Sequence, residues 1–91
     1  MITAIVFIEA EVSRLSEVAA GIADLEGVSE VYSVTGDLDL VAMVRVREID
    51  GVSAVVTDGI NRIEGVLATQ TQIAYRAYSK HDLEEAFSIG L

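Results

Sequence analysis

Two carboxylates two residues apart, Asp37 and Asp39, follow a glycine in the stretch Thr35-Gly36-Asp37-Leu38-Asp39. These are the parts needed to hold a zwitterion: a carboxylate pairs with a ligand ammonium, and backbone N–H groups turned outward by a glycine pair with a ligand carboxylate. An Asp-x-Asp pair also suits Mg²⁺, although no third oxygen ligand stands at a matching spacing. The same stretch reads equally as a plain hairpin, with Gly36 supplying a positive φ and Asp37 a turn residue. Further along, Thr69-Gln70-Thr71-Gln72 alternates so that Thr69 and Thr71 face one side of a strand and the glutamines the other. Hydroxyls on such a strand orient a ligand in a cleft, or simply make a polar edge of β-branched residues.

Other reactive residue types are sparse. His81 is the only histidine, and one histidine builds no metal site, so it reads as a surface residue. No serine stands in an elbow motif, there is no cysteine, and neither a glycine-rich phosphate loop nor a zinc pattern occurs. No catalytic residue, metal or cofactor is therefore expected. Tyr32, Tyr75 and Tyr78 fall on expected edge strands and read as packing.

The 91 residues carry 15 acidic and 6 basic side chains, a formal charge of -9. Only Arg45 and Arg47 among the basic residues lie within two positions of each other, so the chain repels phosphates and nucleic acid is not expected as a partner. The absence of cysteine fits a reducing compartment. The opening apolar run, residues 2–8, is too short to span a bilayer and has no basic lead, so no membrane contact is expected and the location reads as cytoplasmic.

The elements that must position these residues come from an internal repeat. A shift of 38 positions aligns Val18 with Val56, Gly21 with Gly59, Ile22 with Ile60 and Leu25-Glu26-Gly27-Val28 with Ile63-Glu64-Gly65-Val66. In the first copy Val12, Leu15, Val18, Ile22 and Leu25 mark one face of a helix over about 12–26, closed by Gly27. In the second copy Val52, Val55, Val56, Ile60 and Ile63 make the same stripe, with Asp50 as expected N-cap and Gly65 as stop. Gly21 and Gly59, placed in mid-helix, are expected to let each helix approach a sheet closely.

Strand-like runs over 2–8, 28–35, 38–46 and 66 to about 78 complete two β-α-β halves. Interleaved, they make an α+β, ferredoxin-like (βαββαβ) sandwich: a four-stranded antiparallel sheet with both helices on one face. Leu83, Ala86 and Phe87 add a short C-terminal helix, so residues 1–80 form the domain and 81–91 a tail. The first and third strands are apolar on both sides, where a half-solvated sheet would alternate. They form the central pair in this fold, so its open face has an apolar middle, and a twofold dimer stacking sheet on sheet is the simplest cover.

The run Val31-Tyr32-Ser33-Val34-Thr35-Gly36-Asp37-Leu38-Asp39-Leu40, with Ile63-Glu64-Gly65-Val66 and Thr69-Gln70-Thr71 beyond a helix, resembles the effector domain of leucine-responsive (Lrp/AsnC) regulators. That domain is also called RAM, for regulation of amino-acid metabolism, and the resemblance covers roughly residues 1–80. It implies a homo-oligomer whose dimers form through their sheets and assemble further, commonly to an octamer, with an amino acid or related metabolite bound where dimers meet. It maps ligand binding onto Gly36, Asp37, Leu38, Asp39, Thr69 and Thr71, although family hairpins usually carry an aromatic where Leu38 stands. Met1 opens directly into the first strand, so the chain is similar to stand-alone members without a DNA-reading element. The resemblance then implies modulation of full-length regulators by mixed assembly. The alternatives are a small cofactor-free monooxygenase or isomerase of the same fold, which needs polar groups in a pocket where this chain offers Val, Leu and Ile, and a purely structural oligomerisation module. The related ACT domain places its ligand glycine after the first strand, where this chain has Glu9-Ala10-Glu11.

Overall fold

Val18 and Val56, and Ile22 and Ile60, are partners across the 38-residue repeat, and all four lie in one buried core. The structure, a computed structural model, describes residues 1–80. The C-terminal helix and tail expected over 81–91, and His81 with them, lie outside the described residues.

The elements run β1 (Ile2–Ala10), α1 (Leu15–Ala23), β2 (Val28–Ser33), β3 (Leu40–Val46), α2 (Ile49–Val56) and β4 (Val66–Ile73). Short 3₁₀ turns at Val12–Arg14 and Ile60–Arg62 precede α1 and follow α2. The strands form one antiparallel sheet in the order β2-β3-β1-β4, the ferredoxin-like arrangement expected from two β-α-β halves. Ala4, Val6, Ile8 and Ala10 of β1 and Leu40, Ala42 and Val44 of β3 meet Val18, Ile22, Val52, Val55, Val56 and Ile60 in the core, so both helices cover one face. Among the described residues no polar side chain is buried there, and no helix is long and apolar enough to cross a membrane.

The opposite face carries the other half of each alternation. Register pairs Ile5 with Met43 and Phe7 with Val41 at its centre, and all four side chains are only half-buried. Tyr32 stands beside Val41, and Gln70 and Gln72 beside Phe7 and Ile5, so the apolar middle has a more polar margin. No element among the described residues covers this apolar sheet face, the one expected from the doubly apolar central strands.

The helices differ from the sequence expectation at several points. Val12 is 84 % exposed rather than on the core stripe, because α1 begins only at Leu15 after a 3₁₀ turn. Glu48, not Asp50, occupies the N-cap of α2, with no side-chain cap bond, and Asp50 lies in the first turn. The second helix ends at Val56, so Gly59 stands between α2 and the following turn instead of in mid-helix. Gly21 and Gly59 face the end of the opposite helical segment, not the sheet: their nearest side-chain neighbours are Ile63 and Leu25. The closing glycines behave as expected, Gly27 at φ +95° and Gly65 at φ +102°, the left-handed conformation that ends a helix. Strand β4 stops at Ile73, which leaves Tyr75 and Tyr78 beyond the sheet and exposed.

Candidate functional site

Six residues, Val34 to Asp39, join β2 to β3, and the chain folds them against the end of β1 through Asp39. The Val34 N–H donates to the Asp39 carbonyl at 3.1 Å and closes the loop, while the Asp39 N–H donates to the Ile8 carbonyl at 3.0 Å. The Asp39 carboxylate then accepts the backbone N–H of Ala10 through Oδ2 at 2.9 Å. That N–H is available because the β1–β4 register shifts between Glu9 and Ala10. A bulge of this kind interrupts the ladder and leaves a backbone group to be satisfied by something other than the facing strand.

Gly36 sits at φ +109°, and a Cβ there would meet nothing within 4 Å, so its glycine serves backbone conformation and not close packing. Among the described residues, the N–H groups of Gly36, Asp37 and Leu38 make no hydrogen bond within the chain. Beside them lies a cavity of about 430 Å³ on the open face of the sheet, lined by Phe7, Val34, Thr35, Asp37, Leu38 and Val41. Four of these six side chains are apolar, and Asp37 is the single charge.

The threonines lie elsewhere. Thr69 pairs with Ile8 and Thr71 with Val6, on the helix-bearing face, whereas Phe7 and its partner Gln70 belong to the open face. The Thr69 hydroxyl donates to the Asn61 side chain at 2.8 Å. Since β4 is the edge strand remote from β2, one chain gathers Gly36, Asp37, Leu38 and Asp39 in a single loop and keeps Thr69 and Thr71 apart from them. The Mg²⁺ reading gains no third ligand, since no group of three metal-binding side chains occurs among the described residues.

Two further features were not singled out from the sequence. At the margin of the open face the Arg45 guanidinium donates to Ser29 Oγ at 2.9 Å and lies 3.8 Å from Glu30. Ser29 Oγ in turn donates to the Met43 carbonyl at 3.1 Å. Glu30 as hydrogen-bond acceptor, then desolvation, then the Glu30 charge hold the Tyr32 phenol above its ordinary pKa, against an opposing pull from Arg45. A larger cavity, about 610 Å³, opens at the other end of β3 among Leu25, Gly27, Arg45, Arg47, Val55 and Gly59. Its volume exceeds that of the hairpin cavity, and Glu26 and Asp58 share its lining with the two arginines. The hairpin cavity is the one of the two that gathers residues the sequence had marked for a small zwitterion, Asp37 and Leu38.

The family described as Lrp/AsnC ligand binding domain matches residues 3–83. The HTH-type transcriptional regulator FL11 of Pyrococcus abyssi is 30% identical over 77 residues, which are 85% of this chain and 50% of that protein. The chain thus spans about half the length of the curated relatives it matches. Among solved structures, TTHA0845 from Thermus thermophilus is 48% identical with a TM-score of 0.84, covering 88% of this chain and 100% of that one. The transcriptional regulator NMB0573 of Neisseria meningitidis, solved as an L-Met complex, shares the fold: TM-score 0.77 at 16% identity, covering 86% of this chain and 52% of that one.

Proposed function

This chain belongs to the Lrp/AsnC ligand binding domain family, and from that premise we propose that it is an amino-acid-sensing, self-assembling domain that modulates regulators of amino-acid metabolism. The observation that carries the reading is the hairpin: Gly36 at φ +109°, three unpaired N–H groups and the Asp37 carboxylate stand beside an apolar cavity. N–H groups and a carboxylate are the two complements of an amino acid's α-groups.

The apolar sheet face built on Ile5, Phe7, Val41 and Met43 gives the assembly its first step, a sheet-on-sheet twofold dimer. Thr69 and Thr71 then act from a neighbouring copy, because one chain holds them away from its own hairpin. A ligand that bridges copies favours the assembled state by mass action, and an octamer is the assembly we propose for the liganded protein. Such surfaces also accept full-length regulators of the family in mixed assemblies. The charge of -9 disfavours DNA contact by this unit, and the apolar layer between sheet and helices, with no buried polar group among the described residues, favours a regulatory over an enzymatic role. We place the protein in the cytoplasm.

A thermal-unfolding scan of the purified protein against the twenty amino acids tests the reading. At millimolar concentration at least one raises the midpoint and increases oligomer mass; no shift with any of them contradicts it.

A further inference from the structure

We propose that the chain beyond β4 is an exchanged arm: residues 74–80 of one copy leave their own sheet and seat Tyr78 in the cavity of about 610 Å³ at the end of β3 in a second copy. The inference goes beyond amino-acid sensing and rests only on the proposed sheet-on-sheet dimer.

The Ala74 N–H still donates to the Thr3 carbonyl at 2.9 Å, and every residue from there to Lys80 is exposed. Tyr75 is fully exposed and Tyr78 71 % exposed, although burying a tyrosine removes about 150–250 Å² from water and anchors many interfaces. The Arg76 guanidinium lies 5.6 Å from the Tyr78 ring centre, so the arm presents a cation and an aromatic ring together. Arg76 and Lys80 stand in the arm with no acid, whereas the residues before it hold twelve acids and four arginines. The arm's charge therefore complements the acidic body of another copy.

The cavity opens at the same end of the sheet. Val46 of its lining pairs with Ile2, and Ala4 pairs with Ile73, the last residue of β4. Leu25, Val46, Ala54 and Val55 give it an apolar wall for a ring. On its rim Arg45 is paired with Glu30 and Asp58 with Arg62, which leaves Glu26 as the acid for an incoming cation and Arg47 as a donor to the Tyr78 hydroxyl oxygen. In one chain the arm stays outside, since neither Tyr75 nor Tyr78 lines the cavity.

Sheet order and reach choose the tyrosine. With strands ordered β2-β3-β1-β4, a twofold axis along the strands sets β4 of one copy over β2 of the other, like ends together. An extended chain covers about 3.3 Å per residue and stacked sheets stand about 10 Å apart, so Tyr75, about 7 Å past Ile73, falls short while Tyr78, about 17 Å past it, reaches the helix-bearing side of the second sheet.

The chain has no tryptophan, so Tyr78→Trp and Tyr75→Trp each create a single fluorophore at an exposed position. In full chains that sediment as dimers, with no amino acid added, Tyr78→Trp emits to the blue of Tyr75→Trp, and the shift is lost when Met43→Lys is added. Ala54 is an exposed part of the cavity wall, so Ala54→Phe fills the cavity without touching the core. After subunit exchange with excess Ala54→Phe chains, Tyr78→Trp loses its blue shift although its own cavity is intact. Tyr78→Ser weakens the dimer at least about tenfold and Tyr75→Ser less than about threefold. Equal emission from the two tryptophan variants, or a shift that survives the exchange, overturns the proposal. A chain that sediments as monomer overturns it together with the sheet-on-sheet dimer, whereas amino-acid binding is decided separately by the thermal scan.

Discussion

Leu25 Cδ1 lies 3.0 Å from the point where a Cβ on Gly59 would stand, and one repeat away Ile63 Cδ1 lies 3.5 Å from the same point on Gly21. The two contacts are one contact made twice, since the 38-residue shift exchanges Gly21 with Gly59 and Leu25 with Ile63. Each glycine receives the apolar residue that ends the other helical segment, so the repeat is expressed as reciprocal packing across the helix layer.

The reciprocity is incomplete, and a pair of alanine substitutions measures by how much. At Gly21 an added methyl meets ordinary van der Waals contact inside a helix, so Gly21→Ala stabilises by up to ~1 kcal/mol through helix propensity. At Gly59 the same methyl would stand 2.5 Å from the Val55 carbonyl oxygen, which is backbone and cannot rotate away. Gly59→Ala therefore destabilises by about 1–3 kcal/mol, the usual range for overpacking. Urea midpoints taken at one fixed protein concentration separate the two signs.

Tyr32 gives the protein a pH dependence in the alkaline range. Its phenol is held above the ordinary value, chiefly by Glu30, so between the unfolded and folded pKa values the native state binds more protons than the unfolded one. Stability from this group is present in full below about pH 10 and falls as pH rises through the folded pKa. A spectrophotometric titration should show a late tyrosine step, above the ordinary phenol range. Tyr32→Phe removes that late step, and Glu30→Gln moves it back toward the ordinary range. A late step that survives Tyr32→Phe would refute the assignment.

The apolar sheet face makes a prediction about assembly. Ile5, Phe7, Val41 and Met43 are half-buried, and no element among the described residues lies over them. Met43→Lys places a charge at the centre of that face and leaves the helix-side core untouched, so sedimentation should show monomer where the parent chain gives a dimer or higher. Circular dichroism should show the secondary structure retained. A variant that keeps the parent's mass would place the dimer elsewhere.

Particular residues show why some of this could be read in advance. Gly27 and Gly65 recur in the repeat, and both take the positive φ that ends a helix. Ile5, Phe7, Val41 and Met43 betrayed a doubly apolar central pair because alternation is a local property of a strand. The commitment of Asp39 was not legible, since its Ala10 partner lies 29 residues away and is presented only by strand order and a register shift. Val12 kept helical spacing and is nonetheless exposed, because periodicity does not report where a 3₁₀ turn hands over to the α-helix. The positions of Thr69 and Thr71 followed from alternation, but their separation from the hairpin needed the sheet order.

Native mass spectrometry of the protein, alone and with each of the twenty amino acids, tests the central claim most directly because it reports assembly and occupancy together. The account predicts even-numbered assemblies that grow in the presence of at least one amino acid and carry it on the larger species, with both the added mass and the growth lost in Asp37→Asn. Assemblies that stay the same size and carry no amino acid would contradict it.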